Sequence, residues 1–256
     1  MARVLTALVG IPLVLLIVSV GGTPFRFFCL ILALAALREL QVAIRRSNVL
    51  AGANVIGIVA YPAIFLAVWG GLTPSFGWIV MATLLTLSVL FYGRGTRLTL
   101  PSLAITTLAT LYVSLFALLP TLRETGRGEL LYLMLFAVWA SDTAAYYGGR
   151  AFGKTPISPL SPGKTREGAL IGIFAGTLVA ALIAGWFDIR RIDSAFMAAI
   201  VAVAAPIGDL AESFWKRELG VKDLGTILPG HGGILDRCDS LLFAALGLSL
   251  YLSLSG

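Results

Sequence analysis

Acids, bases and small residues crowd together between Gly208 and Asp239. The stretch reads Gly208-Asp209-Leu210-Ala211-Glu212-Ser213-Phe214-Trp215-Lys216-Arg217, then Lys222-Asp223, then Pro229-Gly230-His231-Gly232-Gly233-Ile234-Leu235-Asp236-Arg237-Cys238-Asp239. On a helix, Asp209 and Ser213 share a face, as do Glu212 and Lys216, and Asp236 and Asp239. Asp209, Asp236, Asp239 and the Ser213 hydroxyl form an all-oxygen donor set. Such a set suits Mg²⁺, which keeps waters and takes one or two carboxylates plus substrate phosphate. The competing account is a set of interfacial ion pairs with Lys216, Arg217 and Arg237. Asp209 and Glu212 are expected to close a helix, where the dipole repels a carboxylate unless a cation compensates. Pro206 is expected to break the backbone ladder just before them, and Gly208 to add slack.

His231 lies among Gly230, Gly232 and Gly233, which permit close backbone approach to a phosphate or a base. General acid–base work is the other role open to it, and a lone His is more often structural.

A second constellation runs Ser141-Asp142-Thr143-Ala144-Ala145-Tyr146-Tyr147-Gly148 and then Ser158 to Gly168. Asp142 is expected roughly 9 Å inside the end of its helix. It is either paired to an Arg or serves as a metal or nucleotide ligand. Lys164, Thr165 and Arg166 on a Gly-containing loop suit a triphosphate, and suit anionic lipid headgroups as well. Gly148 to Thr155 fits the pattern G-x-x-x-x-G-K-[ST], but a P-loop needs a strand before it and a helix after it. Here an apolar span precedes and Pro156 follows, so no P-loop is expected. Lys154 would still meet a phosphate as a point charge.

The elements that must hold these residues are apolar. Of 256 residues, 58% are hydrophobic and 12% charged, with a mean hydropathy of +0.94. Soluble domains carry about 45–50% apolar and about 25% charged residues, so a water-soluble fold is excluded. The first 120 residues hold seven Arg and a single acid, Glu39, while all four Lys lie later. Ionisable groups in hydrocarbon usually mark a working site, which locates the chemistry in the second half. The net charge of +6 is ascribed to cytoplasmic loops rather than to nucleic-acid binding. Two cysteines, Cys29 and Cys238, make no disulfide framework.

A bilayer crossing takes about 20 apolar residues. Candidate spans are 4–21, 25–44, 50–69, 74–92, 99–120, 129–148, 168–187, 194–212 and 234–254. The expected fold is therefore an all-α polytopic membrane protein of about nine transmembrane helices. The first span is too long for a signal-peptide core. Basic residues of the N-terminus and alternate loops outnumber those of the intervening loops thirteen to five. That asymmetry puts the N-terminus in the cytoplasm. The two hydrophilic loops, at about 149–167 and 213–233, then share the cytoplasmic side. One integral membrane domain is expected over 1–256, with scaffold spans in about 1–128 and a catalytic part in about 129–256.

The polar residues resemble a known signature. Ser213-x-x-Lys216-Arg217-x4-Lys222-Asp223-x-Gly225, followed by Pro229-Gly230-His231-Gly232-Gly233-x-x-Asp236-Arg237-x-Asp239, is similar to that of the phosphatidate cytidylyltransferases, or CDP-diacylglycerol synthases. Asp142-Thr143 and the block Ser161 to Gly168 also look like that family. The resemblance implies transfer of the cytidylyl group of CTP to phosphatidic acid, giving CDP-diacylglycerol and pyrophosphate at the inner membrane of a cell. It implies Asp209, Asp236 and Asp239 as metal ligands beside Ser213, with Mg²⁺ and a second, monovalent cation such as K⁺. Lys222 and His231 join the three Asp as catalytic candidates. Asp142, Lys154, Lys164, Thr165, Arg166, Lys216, Arg217, Asp223, Gly232, Gly233 and Arg237 become substrate-binding candidates. A homodimer is implied too. Two rivals stand beside this reading. One is another membrane lipid phosphotransferase, and the other a transporter with an intramembrane acidic ion site.

Overall fold

The computed structural model describes residues 2–47, 55–70, 100–124, 128–187, 189, 191–227 and 232–255. In hydrocarbon a backbone must satisfy its own polar groups, so apolar runs fold as helices. The helices are α1 (Ala2–Val20), α2 (Gly22–Arg46), α3 (Val55–Gly70), α4 (Leu100–Ser114), α5 (Leu118–Glu124), α6 (Gly128–Phe152), α7 (Arg166–Ile183), α8 (Arg191–Glu218) and α9 (Leu235–Ser255). Short 3₁₀ turns, Leu115–Ala117 and Ala184–Phe187, follow α4 and α7. Among the described residues there is no strand. Of the described residues, five segments are long and apolar enough to cross a membrane: Gly22–Arg46, Ala104–Glu124, Arg166–Phe187, Ile192–Glu218 and Leu235–Leu254. The span expected at 74–92 lies outside the described residues.

Three local expectations are corrected. Helix α6 runs to Phe152 and α8 to Glu218, so the loops expected to open at 149 and 213 begin at Gly153 and Leu219. Pro206 lies inside α8 as expected, and the helix continues for three more turns beyond it; a buried or lipid-facing helix tolerates one missing N–H. Asp209 therefore lies more than two turns inside α8. The dipole acts within the last turn, so it gives no reason for a cation at Asp209. Likewise Asp142 lies nearly three turns before the end of α6.

The chain divides into two compact units. The first comprises Met1–Thr121 with Glu218–Asp236, the second Leu122–Arg217 with Arg237–Gly256. The segment entering α9, Glu218–Asp236, belongs with the N-terminal helices. In the first unit α2, α3 and α4 pack together. Leu37, Leu40 and Ile44 of α2, Ile64 of α3 and Phe116 are wholly buried. Tyr61 donates a hydrogen bond to Gln41 Oε1 at 3.2 Å.

In the second unit α6 and α7 run antiparallel at close range. A Cβ on Gly168, Gly172 or Gly176 would come within 2.7 Å of the carbonyl oxygens of Ala145, Ser141 and Ala137 respectively. Gly208 makes a similar approach: a Cβ there would strike the Asp239 carbonyl oxygen. Its role is close packing of α8 on α9, not slack. The outer face of α7 exposes Leu170, Phe174, Leu178 and Leu182, a row four residues apart that suits lipid rather than water.

Candidate active site

The connection from α6 to α7 is short and tightly bonded. Ile157 N–H donates to the Lys164 carbonyl at 2.8 Å and Arg166 N–H to the Thr155 carbonyl at 2.8 Å. Thr165 caps α7, its Oγ1 accepting from Gly168 N–H at 3.2 Å. Two residues into the helix, the Glu167 carboxylate reaches back to the N–H groups of Lys154 (3.0 Å) and Thr155 (3.2 Å). A helix N-terminus favours both the cap and the acid. Gly148 to Phe152 form the last turn of α6, so a helix stands where a P-loop has a strand.

This loop delivers Lys164 to α8, where its ammonium pairs with Asp209. Arg217 Nε donates to the Leu160 carbonyl at 3.3 Å, tying the same loop to the end of α8. Asp209, Glu212 and Asp239 each offer an oxygen, and these lie within 4.8 Å of one another. Glu212 and Asp239 are buried and Asp209 is half-buried. Asp239 lies within electrostatic reach of Asp209. Asp142 lies within electrostatic reach of Asp209 and Lys164. Lys216 pairs with Glu212 at 2.5 Å. Mg²⁺ takes oxygen ligands in an octahedron, with opposite oxygens about 4.2 Å apart. Three carboxylate oxygens this close fit such an ion after small side-chain movements.

In the first unit a different pair of acids shapes the segment before α9. Asp236 accepts N–H from Gly233 (2.6 Å), Leu224 (3.2 Å) and Gly225 (3.4 Å). Glu39 Oε2, from α2, accepts N–H from Ile234 (2.8 Å) and Leu235 (3.3 Å). Gly232 has φ 86°, a conformation that favours glycine, and a Cβ there would stand 2.9 Å from Asp236 Oδ2.

Several expected site residues thus meet within the second unit: Asp142, Lys164, Asp209 and Asp239, with Lys216 and Arg217 bonded nearby. Ser213 follows Asp209 by one turn of α8 and is half-buried. Lys154, Arg166, Lys222, Asp223 and Arg237 have exposed side chains, and Gly233 is buried. The carboxylate of Asp236 is engaged by backbone N–H groups as described. Thr165 holds the loop together as a cap. His231, with Pro229 and Gly230, lies outside the described residues. Glu212 was read from the sequence as a partner for Lys216 and, with Asp209, as a helix-end acid needing a cation, but not as a metal ligand, although its spacing of three from Asp209 already put both on one helix face. Glu39 carried no signal beyond being the lone acid of its half.

Comparisons with known proteins bear on this geometry. The model of the Cytidylyltransferase family matches residues 1–255. A phosphatidate cytidylyltransferase of Helicobacter pylori is 44% identical over 141 residues, 53% of this chain and 51% of its own. That of Staphylococcus haemolyticus is 34% identical over 256 residues, 94% of each chain. That of Synechocystis sp. is 31% identical over 274 residues, 95% of this chain and 93% of its own. The match spans about half the length of the Helicobacter relative and nearly all of the other two.

Proposed function

We propose that this chain, which belongs to the cytidylyltransferase family, transfers the cytidylyl group of CTP to phosphatidic acid at a membrane. The observation that carries the reading is the cluster of Asp209, Glu212 and Asp239, with Lys164 brought to it by a rigid loop. A phosphate oxygen of the lipid attacks the α-phosphorus of CTP, the bond to the β-phosphate oxygen breaks, and pyrophosphate leaves. A phosphate monoester is already anionic near neutral pH, so no strong base is needed. The burden is to bring two polyanions together, and positioning and charge supply most of such catalysis.

In this reading Asp209, Glu212 and Asp239 would hold Mg²⁺, with the Ser213 hydroxyl beside them; Glu212 takes the place expected of Asp236, whose carboxylate is engaged by the N–H groups of Leu224, Gly225 and Gly233. The bound ion would neutralise nucleotide phosphate charge. Lys164 presents its ammonium to the phosphates, and the Glu167 and Arg217 bonds keep the loop that carries it rigid. Asp142 adds a carboxylate facing Asp209 and Lys164. Asp236 orders the backbone that carries Gly232 and Gly233 close to a substrate phosphate. Lys154, Arg166, Lys222, Asp223, His231 and Arg237 complete the substrate contacts on the strength of the family resemblance. So do a monovalent cation such as K⁺ and a homodimer. About nine spans, with a cytoplasmic N-terminus and a site open to the cytoplasm, let soluble CTP and membrane-borne lipid reach one centre.

The test uses purified protein in detergent with labelled CTP and phosphatidic acid, with and without Mg²⁺. CDP-lipid and pyrophosphate in equal amounts are expected. Release of CMP would instead mark a phosphotransferase that consumes CDP-lipid. Solute flux without nucleotide turnover would mark a transporter.

A further inference from the structure

We infer that Glu39 is a positioning residue for the segment that enters α9. The role in turnover rests on the reading above, because that segment carries Lys222, Asp223, Gly232, Gly233 and Asp236. Glu39 is 5% exposed and sits on α2, two turns before its end. A buried carboxylate in an apolar span is costly and is kept where it has work to do. Its Oε2 takes the N–H groups of Ile234 and Leu235, which lie 195 and 196 residues away in sequence. Those donors open α9, where N–H groups lack helical partners and favour an anion.

The packing is built around this carboxylate. A Cβ on Gly225 would collide with the Glu39 carboxyl group, and one on Gly233 would come within 2.7 Å of its carboxyl carbon. Only residues without a side chain admit it on both sides. Asp236 grips the same backbone through Leu224, Gly225 and Gly233. Two buried acids therefore hold five backbone N–H groups between residues 224 and 235. They set the conformation of the glycines and the point at which α9 starts. Asp239 is one turn further along that helix.

The experiment compares Glu39→Ala, Glu39→Gln, Gly225→Ala and the double variant Glu39→Ala/Gly225→Ala in the full chain. It reads kcat and KM for CTP, thermal stability, and amide hydrogen exchange. Glu39→Ala is expected to lower kcat at least about tenfold, with KM within about threefold, because misplacement costs rate more than binding. Faster exchange should be confined to residues 224–235. Glu39→Gln keeps one acceptor oxygen and should retain an intermediate kcat. Gly225→Ala should show the same kcat defect, and the double variant should be no worse than Glu39→Ala, since the clashing carboxylate is gone. A folded Glu39→Ala with wild-type kcat would overturn the inference. So would a loss of rate matched by uniformly faster exchange, which is what a general loss of stability gives. If Glu39→Ala does not fold, Glu39→Gln and Gly225→Ala decide by the same readouts. A wild-type protein that makes no CDP-lipid would sink the proposed activity. Exchange in 224–235 would still report whether Glu39 holds that segment.

Discussion

Lys164 stands beside Asp209, in a second unit where three carboxylates approach one another. Close carboxylates repel unless a positive charge or a shared proton lies among them. Lys164 on Asp209 and Lys216 on Glu212 offset part of that repulsion, and a divalent cation would offset the rest. Asp209→Asn and Asp239→Asn are each expected to lower turnover by more than about 100-fold, since even groups one shell removed from a metal cost about 10–100-fold. The double replacement should cost little more than either single one, because residues acting as a unit are non-additive. Near-normal turnover with an unchanged Mg²⁺ requirement in Asp239→Asn would falsify the metal assignment. The two acids were legible in the sequence because each sits in a polar cluster within an apolar chain. Glu39 was not, because its partners Ile234 and Leu235 are apolar residues that contribute only backbone N–H. No side-chain pattern records such a bond.

Between helices, what decides is how closely two backbones approach. Lipid tails are as apolar as leucine, so pairs in a membrane are held by tight packing rather than by burial from water. The row Gly168, Gly172 and Gly176 brings α7 against carbonyl oxygens of α6. It thereby fixes both ends of the loop that carries Lys164. In Gly172→Ala the new methyl would meet the Ser141 carbonyl oxygen at 2.7 Å and Ala145 Cβ at 2.9 Å. The helices would have to separate, at a cost of about 1–3 kcal/mol. Gly185→Ala, with open space around its Cβ position, should stay within about 0.5 kcal/mol. Thermal unfolding in detergent separates the two, and equal stability would show that the glycine row does not govern this pair. Helix identities were readable from the apolar runs. The ends were not, because Gly148, Gly149 and Pro206 look like breakers in isolation. Each is accommodated by its place: Gly148 against Ile171 and Gly149 against Thr165, and Pro206 within a long apolar helix.

For the whole molecule, the proposed chemistry requires that two connections open to the same solution. Lys164 and Arg166 flank the start of α7, while Lys222 and Asp223 lie between α8 and α9. CTP is charged and soluble, so groups that bind its phosphates must face the compartment that supplies it. Helix α7 leads away from the first connection, and α8 leads into the second. If α7 and α8 each cross the bilayer once, both connections return to one face. By the bias of Lys and Arg toward the cytoplasmic side, their basic residues would make that face the cytoplasmic one, as the proposed topology has it. Single cysteines at Gly163 and at Lys222, both exposed positions, can be placed in a chain whose Cys29 and Cys238 are replaced by Ala. In sealed inside-out vesicles both should react with a membrane-impermeant maleimide, and in right-side-out vesicles neither should. If the two sites label from opposite faces, α7 and α8 do not form a pair of crossings. Lys164 and Lys222 could not then serve one nucleotide, and the proposed assembly of substrate contacts would have to be abandoned.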